Sequence, residues 1–339
     1  MAVKPIPEGY HSLTPHLSVL ALLAVAWAAA CTAKAPEAKP SPSAAGGLAN
    51  GSFTADLNGF RIHYAVHGQG PVLMALTNSW GLSLEALRSM YRPLEEKLTL
   101  VYFDPRGMGG SGPVREEADR GLAAVRADFQ ALRAHLKLER VNAIGWSNGA
   151  INLIWLAHEH PETLSSAIFV HGMASFGPED AKSMQVQHPE LTKKYGALMA
   201  AVSKPGLSAA EQTALQRKMW LEDYFPSLCA DPVKGRALVA EVFRDAQLSW
   251  PHAEYTNKET PAFDARHELA AIPVRSLVVA GAHDMLPPSR VKVLADGLPR
   301  AQFVVFERSG HFSPVEEPEG FKAAVYAFLG VGGSAPAAR

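Results

Sequence analysis

Cysteine is nearly absent: the 339 residues hold two, Cys31 and Cys229. Two thiols cannot build a disulfide framework or a cysteine-based metal site. An excess of one charge is also missing. Lys and Arg total 32 against 33 Asp and Glu, for a formal net charge of −1, and there is no basic run. That balance excludes nucleic acid as an expected partner. Long hydrophobic runs are scarce as well. The apolar stretch 17–30 is too short to span a bilayer comfortably, but it suits the core of an export signal. No internal repeat interrupts the chain. What is there is ordinary globular composition, 47% hydrophobic and 19% charged, sufficient for one large α/β domain.

From residue 53 onward short apolar runs alternate with amphipathic segments. Residues 53–57 and 60–66 read as a hairpin turning at Asn58-Gly59. Buried-strand runs follow at 71–77, 98–104, 141–144, 166–171, 274–281 and 302–307. Helical spacing occupies 84–97, 118–137, the segment after Gly149 to about His160, 288–298 and 318–329. This alternation predicts a mostly parallel central sheet with helices on both faces. It breaks between 173 and 268, where helical pieces, prolines, Trp220 and Trp250 predict a helical cap inserted over the sheet. The predicted organisation is a signal segment at 1–30 and a tether rich in Ala, Pro, Gly, Lys and Ser at 31–52. A core at 53–172 follows, then the cap at 173–268, the rest of the core at 269–330 and a tail at 331–339.

Gly145-Trp146-Ser147-Asn148-Gly149 stands between a strand and a helix. Gly-x-Ser-x-Gly in that setting is the nucleophile elbow of a serine hydrolase: the turn is so tight that side chains two residues from the serine would collide. A serine hydroxyl is a weak nucleophile near neutral pH. It needs a base, and the base needs an acid that fixes its tautomer. Asp284 follows the strand ending at Gly281, and His311 follows the strand ending near Glu307, so all three emerge at one end of the sheet. Two other patterns carry no chemistry. Gly107 to Gly112 matches G-x-G-x-x-G, but its strand ends in Asp104-Pro105-Arg106 and a charged loop follows, not a helix. His158-Glu159-His160 has ligand types two apart on a helix, which do not face one ion. No metal and no cofactor are expected.

These stretches, with PVLMALTNSWG, VYFDPRGMGGSG, VNAIGWSNGA, SLVVAGAHDMLPP and SGHFSPVEEPEGF in that order, resemble the α/β-hydrolase superfamily over residues 53–330. The resemblance implies nucleophile Ser147, base His311 and orienting acid Asp284. It implies an oxyanion hole from the backbone N–H of Asn148 and, by position, of Ser79, where many members have His-Gly at the start of the loop and this chain has Thr77-Asn78. Trp80 and Trp146 are candidates for the acyl pocket. The expected reaction is hydrolysis of a small ester or amide, carboxylesterase or lactonase-like. Two alternatives stay open. One is a proline iminopeptidase-like aminopeptidase, for which Glu211, Glu222 and Glu241 could hold the substrate amine. The other is a non-catalytic ligand-binding relative. The Ala28-Ala29-Ala30-Cys31 junction resembles the lipobox of bacterial lipoproteins. It implies acylation of Cys31, membrane attachment and export, with the outer membrane favoured because Thr32 follows the cysteine.

Overall fold

The computed structural model describes residues 47–260 and 262–332. The predicted signal segment, Cys31, most of the tether and the end of the tail lie outside the described residues. Among the described residues no helix is long and apolar enough to cross a membrane.

Eight strands form one sheet: β1 Gly51–Leu57, β2 Phe60–Gly68, β3 Val72–Leu76, β4 Thr99–Phe103, β5 Val141–Trp146, β6 Leu164–Val170, β9 Arg275–Gly281 and β10 Ala301–Phe306. The spatial order is β1-β2-β4-β3-β5-β6-β9-β10. β1 and β2 pair antiparallel around Asn58-Gly59, and β2 pairs antiparallel with β4. All later neighbours are parallel, as the crossover helices require. Two small strands, β7 Ser175–Phe176 and β8 Phe263–Asp264, pair antiparallel apart from the main sheet. No strand was read from the sequence in this region.

Both faces of the sheet are buried, because successive residues of each strand point to opposite sides. On β5, Ile144 joins a cluster with Leu84, Leu87 and Phe321, from α1 (Leu84–Tyr91) and α11 (Pro318–Leu329). Ala143 joins the opposite cluster, with Phe129, Leu153 and Val291, from α2 (Leu122–His135), α3 (Asn148–Glu159) and α9 (Pro288–Gly297). The first cluster runs on into the cap through Trp220, Phe225 and Phe243. The cap contributes α4 Pro178–Gln187, α5 Pro189–Val202, α6 Ala209–Met219, α7 Pro232–Val242 and α8 Trp250–Glu259. Residues 220–224 form a π-helical turn. The short α10, Ser313–Glu316, follows β10.

Four expectations need correction. The helix read over 84–97 ends as α-helix at Tyr91 and tightens into a 3₁₀ turn at Arg92–Glu96, because Pro93 has no N–H to continue the ladder. The tether does not reach residue 52: Gly51 and Ser52 already pair with Val66 and Ala65 in β1. The tail does not begin at 331, since the Val331 N–H donates to the Tyr326 carbonyl at 2.9 Å and its side chain packs on the core. The strand read over 166–171 ends at Val170. His171 leaves it with φ +53°, in the left-handed region that non-glycine residues seldom adopt.

Candidate active site

The register of the parallel strands fixes where the site lies. Leu76 pairs with Gly145, Trp146 with Val170, Val170 with Val279, and Gly281 with Phe306. The carboxyl ends of β3, β5, β6, β9 and β10 are therefore level, and the segments after them share one rim.

Ser147 sits at φ +54° and ψ −118° between β5 and α3, the strained turn expected of an elbow. The two glycines are required by contact. A Cβ on Gly145 would lie 2.4 Å from the Gly149 carbonyl oxygen, and one on Gly149 would lie 2.8 Å from that of Leu76. His311 Nε2 is 2.9 Å from Ser147 Oγ. His311 Nδ1 is 3.0 and 2.9 Å from the two carboxylate oxygens of Asp284. The three predicted partners thus lie within hydrogen-bond reach in sequence. Trp146 holds the base from behind, its indole N–H donating to the His311 carbonyl at 2.8 Å. Glu316 ties the same loop, accepting from the N–H groups of Gly310 and Phe312 at 2.9 and 3.0 Å.

Asp284 is buried. Burial opposes its charge, but the His311 ring and its hydrogen bonds, with the His171 ring alongside, outweigh that cost and hold its carboxyl well below the usual range. His171, on the rim after β6, is a partner that sequence reasoning missed. Its Nδ1 is 2.8 Å from Asp284 Oδ2. The signal was present: a titratable residue directly follows a buried strand, as Ser147 does. It was absorbed into the strand. His171, Asp284 and His311 bring ligand-type atoms within 4.8 Å of one another. Those atoms already face one another and Ser147, so the cluster reads as a polar network.

Asn148 opens α3, where the first N–H groups have no helical acceptor and remain available to an anion. The expectation for Ser79 is corrected. Its N–H donates to Asn148 Oδ1 at 3.2 Å and its hydroxyl to the same oxygen at 2.7 Å, and it is buried away from the cavity. Asn78 and Trp80 line the cavity instead. The Trp80 N–H is taken by Asn78 Oδ1 at 2.7 Å. No sequence signal revealed that the Asn148 side chain would turn back onto the loop.

A cavity of ≈ 440 Å³ opens over Ser147. Trp80 and Trp146 both line it, as expected. The cap adds Tyr195, Trp220, Tyr224 and Phe225. Among the described residues its lining contains no Asp, Glu, Lys or Arg. The cap acids considered as amine holders lie elsewhere. Glu211 is exposed and caps its own helix through Ser208, and Glu222 and Glu241 are exposed. A second Ser–His–Asp chain exists: Ser52 Oγ to His63 Nε2 at 2.7 Å, and His63 Nδ1 to Asp104 Oδ2 at 2.6 Å. Neither Ser52 nor His63 lines the cavity. Asp104 also accepts from the N–H groups of Leu84 and Gly110 at 2.7 and 2.9 Å, so it braces the loop below the site.

The sheet order, the strained serine turn and the level strand ends agree with a family model, alpha/beta hydrolase fold, that matches residues 76–318. The chain belongs to the α/β-hydrolase fold family. It is 27% identical over 280 residues to 3-oxoadipate enol-lactonase 2 of Acinetobacter baylyi, covering 79% of this chain and 92% of that one. It is 26% identical over 238 residues to the proline iminopeptidase of Levilactobacillus brevis, covering 68% and 78%. An α/β fold family hydrolase from Bacillus anthracis superposes with a TM-score of 0.65 at 18% identity, covering 83% of this chain and 98% of that chain. This α/β-hydrolase is an enzyme of the hydrolase class.

Proposed function

We propose that this α/β-hydrolase cleaves neutral esters or lactones with an apolar acyl portion through an acyl-enzyme on Ser147. His311 takes the Ser147 proton as the hydroxyl attacks the carbonyl carbon. The oxyanion is met by the Asn148 backbone N–H at the start of α3, and the proton then passes from His311 to the leaving alcohol. Water, activated by the same histidine, releases the acid and restores Ser147. Asp284 holds His311 in the tautomer that leaves Nε2 free to accept.

The observation that carries the substrate class is the uncharged, aromatic-lined cavity. A free ammonium or carboxylate enclosed there would lose its hydration without gaining a counter-charge, which costs several kcal/mol. That disfavours an aminopeptidase, whose substrate carries an N-terminal amine, and favours a neutral ester. The complete Ser147–His311–Asp284 geometry supports catalysis over simple ligand binding.

The test compares p-nitrophenyl butyrate with proline p-nitroanilide, using wild type and Ser147→Ala. Hydrolysis of the ester, little of the anilide, and loss of both ester turnover and fluorophosphonate labelling in the variant are expected. Preference for the anilide overturns the substrate class, and ester turnover by Ser147→Ala overturns the nucleophile. We also propose that Cys31 is acylated and anchors the enzyme to a membrane, on the sequence at the 30/31 junction alone.

A further inference from the structure

Among the described residues, His171 is the one buried titratable side chain of the cavity that the proposed reaction leaves without a role. Its place is set by topology. β6 lies between β5, which delivers Ser147, and β9, which delivers Asp284. The backbone is pinned on both sides: the Ser147 N–H donates to the Val170 carbonyl at 2.8 Å, and the His171 N–H to that of Val279 at 2.9 Å. These bonds hold His171 at φ +53°, a left-handed conformation that strains a non-glycine residue.

The ring is held as tightly. Ser313 Oγ lies 2.8 Å from Nε2, and the Ser313 N–H points to the same nitrogen at 3.4 Å. An imidazole that accepts at Nε2 carries its proton at Nδ1 when neutral. Burial, the largest influence, pushes His171 down from its ordinary pKa, so the neutral form is the resting one. Nδ1–H therefore faces Asp284 Oδ2, at 2.8 Å but oblique to the N–H direction. Such a bent contact acts as an electrostatic tie more than a directed bond. Of the titratable groups nearby, Asp284 and His311 act on His171 directly, with the His311 ring centroid 5.2 Å away. Tyr224 and Glu316 lie within electrostatic reach of Asp284.

Asp284 has few other donors. Oδ1 accepts from the Leu286 N–H at 3.1 Å and shares His311 Nδ1. Among the described residues Oδ2 has the other half of that shared contact and His171. We propose that His171 is a positioning residue for the hydrolysis, its Nδ1–H holding the Asp284 carboxylate in register beneath His311, with Ser313 keeping that proton on the Asp284 side. Ser313 lies two residues after His311, so the loop that supplies the base also sets the tautomer of its distant brace. The proposal rests on the Ser147 reading above.

The test uses p-nitrophenyl butyrate. His171→Leu keeps the bulk and removes the donor; His171→Asn puts an amide N–H near the position of Nδ1. His171→Leu is expected to lower kcat by about 10- to 100-fold with KM within about twofold, since the loss is of alignment and not of substrate contact. His171→Asn should restore most of kcat. Nitrogen-correlated proton NMR of the wild type should show His171 as a neutral ring protonated at Nδ1 and not at Nε2, a signal lost in His171→Asn. A folded His171→Leu with unchanged kcat overturns the proposal, as does equal loss in both variants. A wild-type His171 that carries its proton on Nε2 overturns it even if neither variant folds. Failure of the Ser147 reading is distinguished by Ser147→Ala, which must be inactive before any of these results bears on His171.

Discussion

The cap is tied to the core through a histidine that must stay neutral, and this makes its stability depend on pH. His252 lies in α8, buried. Its Nε2 donates to the Arg106 carbonyl at 2.8 Å and its Nδ1 accepts from the Ser249 hydroxyl at 2.8 Å. Burial, outweighing the bond to Arg106, lowers its pKa from 6.5 to about 4. In the unfolded chain His252 gains a proton as pH falls through 6.5; in the folded chain it does so only near 4. Between those values the unfolded state binds more protons, so the contribution to stability is full above 6.5 and is lost as pH falls toward 4. At 1.36 kcal/mol per unit the whole difference is about 3 kcal/mol, of which about 2 kcal/mol falls between pH 7 and pH 5. The variant His252→Gln isolates this contribution from that of the rest of the chain. Its amide reaches the Arg106 carbonyl and does not titrate. Urea unfolding of both proteins at pH 7 and pH 5 gives four free energies. The wild type is expected to lose about 2 kcal/mol more than the variant over this interval. Equal losses would refute the claim that His252 is buried neutral and linked to folding.

Two further outcomes are expected. Asp284→Asn places an amide against His311 Nδ1, favours the tautomer with the proton on Nε2, and so should cut kcat about 10³- to 10⁴-fold on p-nitrophenyl butyrate; a loss under tenfold would contradict the orienting role. Cys31→Ser should move the full-length protein from the membrane fraction to the soluble fraction and abolish palmitate incorporation in a bacterial host, and persistence of either rules out acylation at Cys31.

Much of the site was legible from residues because each part of it depends on local chemistry. A glycine two positions either side of Ser147 reports a turn that admits no Cβ, and the contacts at Gly145 and Gly149 are of that kind. Asp284 and His311 each follow a buried-strand run, so their arrival at one end needed only the rule that parallel strands point the same way. Ser79 was misjudged because the use of its N–H depends on the Asn148 side chain, 69 residues away. His171 was missed because it was read as the last residue of its strand, and its partner Ser313 lies 142 residues further on.

Sequence alone determined the alternation that builds the sheet, the order Ser147, Asp284, His311, and the break in that alternation after β6, where helices take over. These follow from hydrophobic periodicity and turn sterics, which act over a few residues. Tertiary structure decided which N–H groups at the strand ends kept no acceptor within the chain, that no charged side chain among the described residues lines the cavity, and that a second histidine would share the buried carboxylate. Those are properties of groups brought together from distant parts of the chain. They turn on which polar atoms are left facing one another once water is removed.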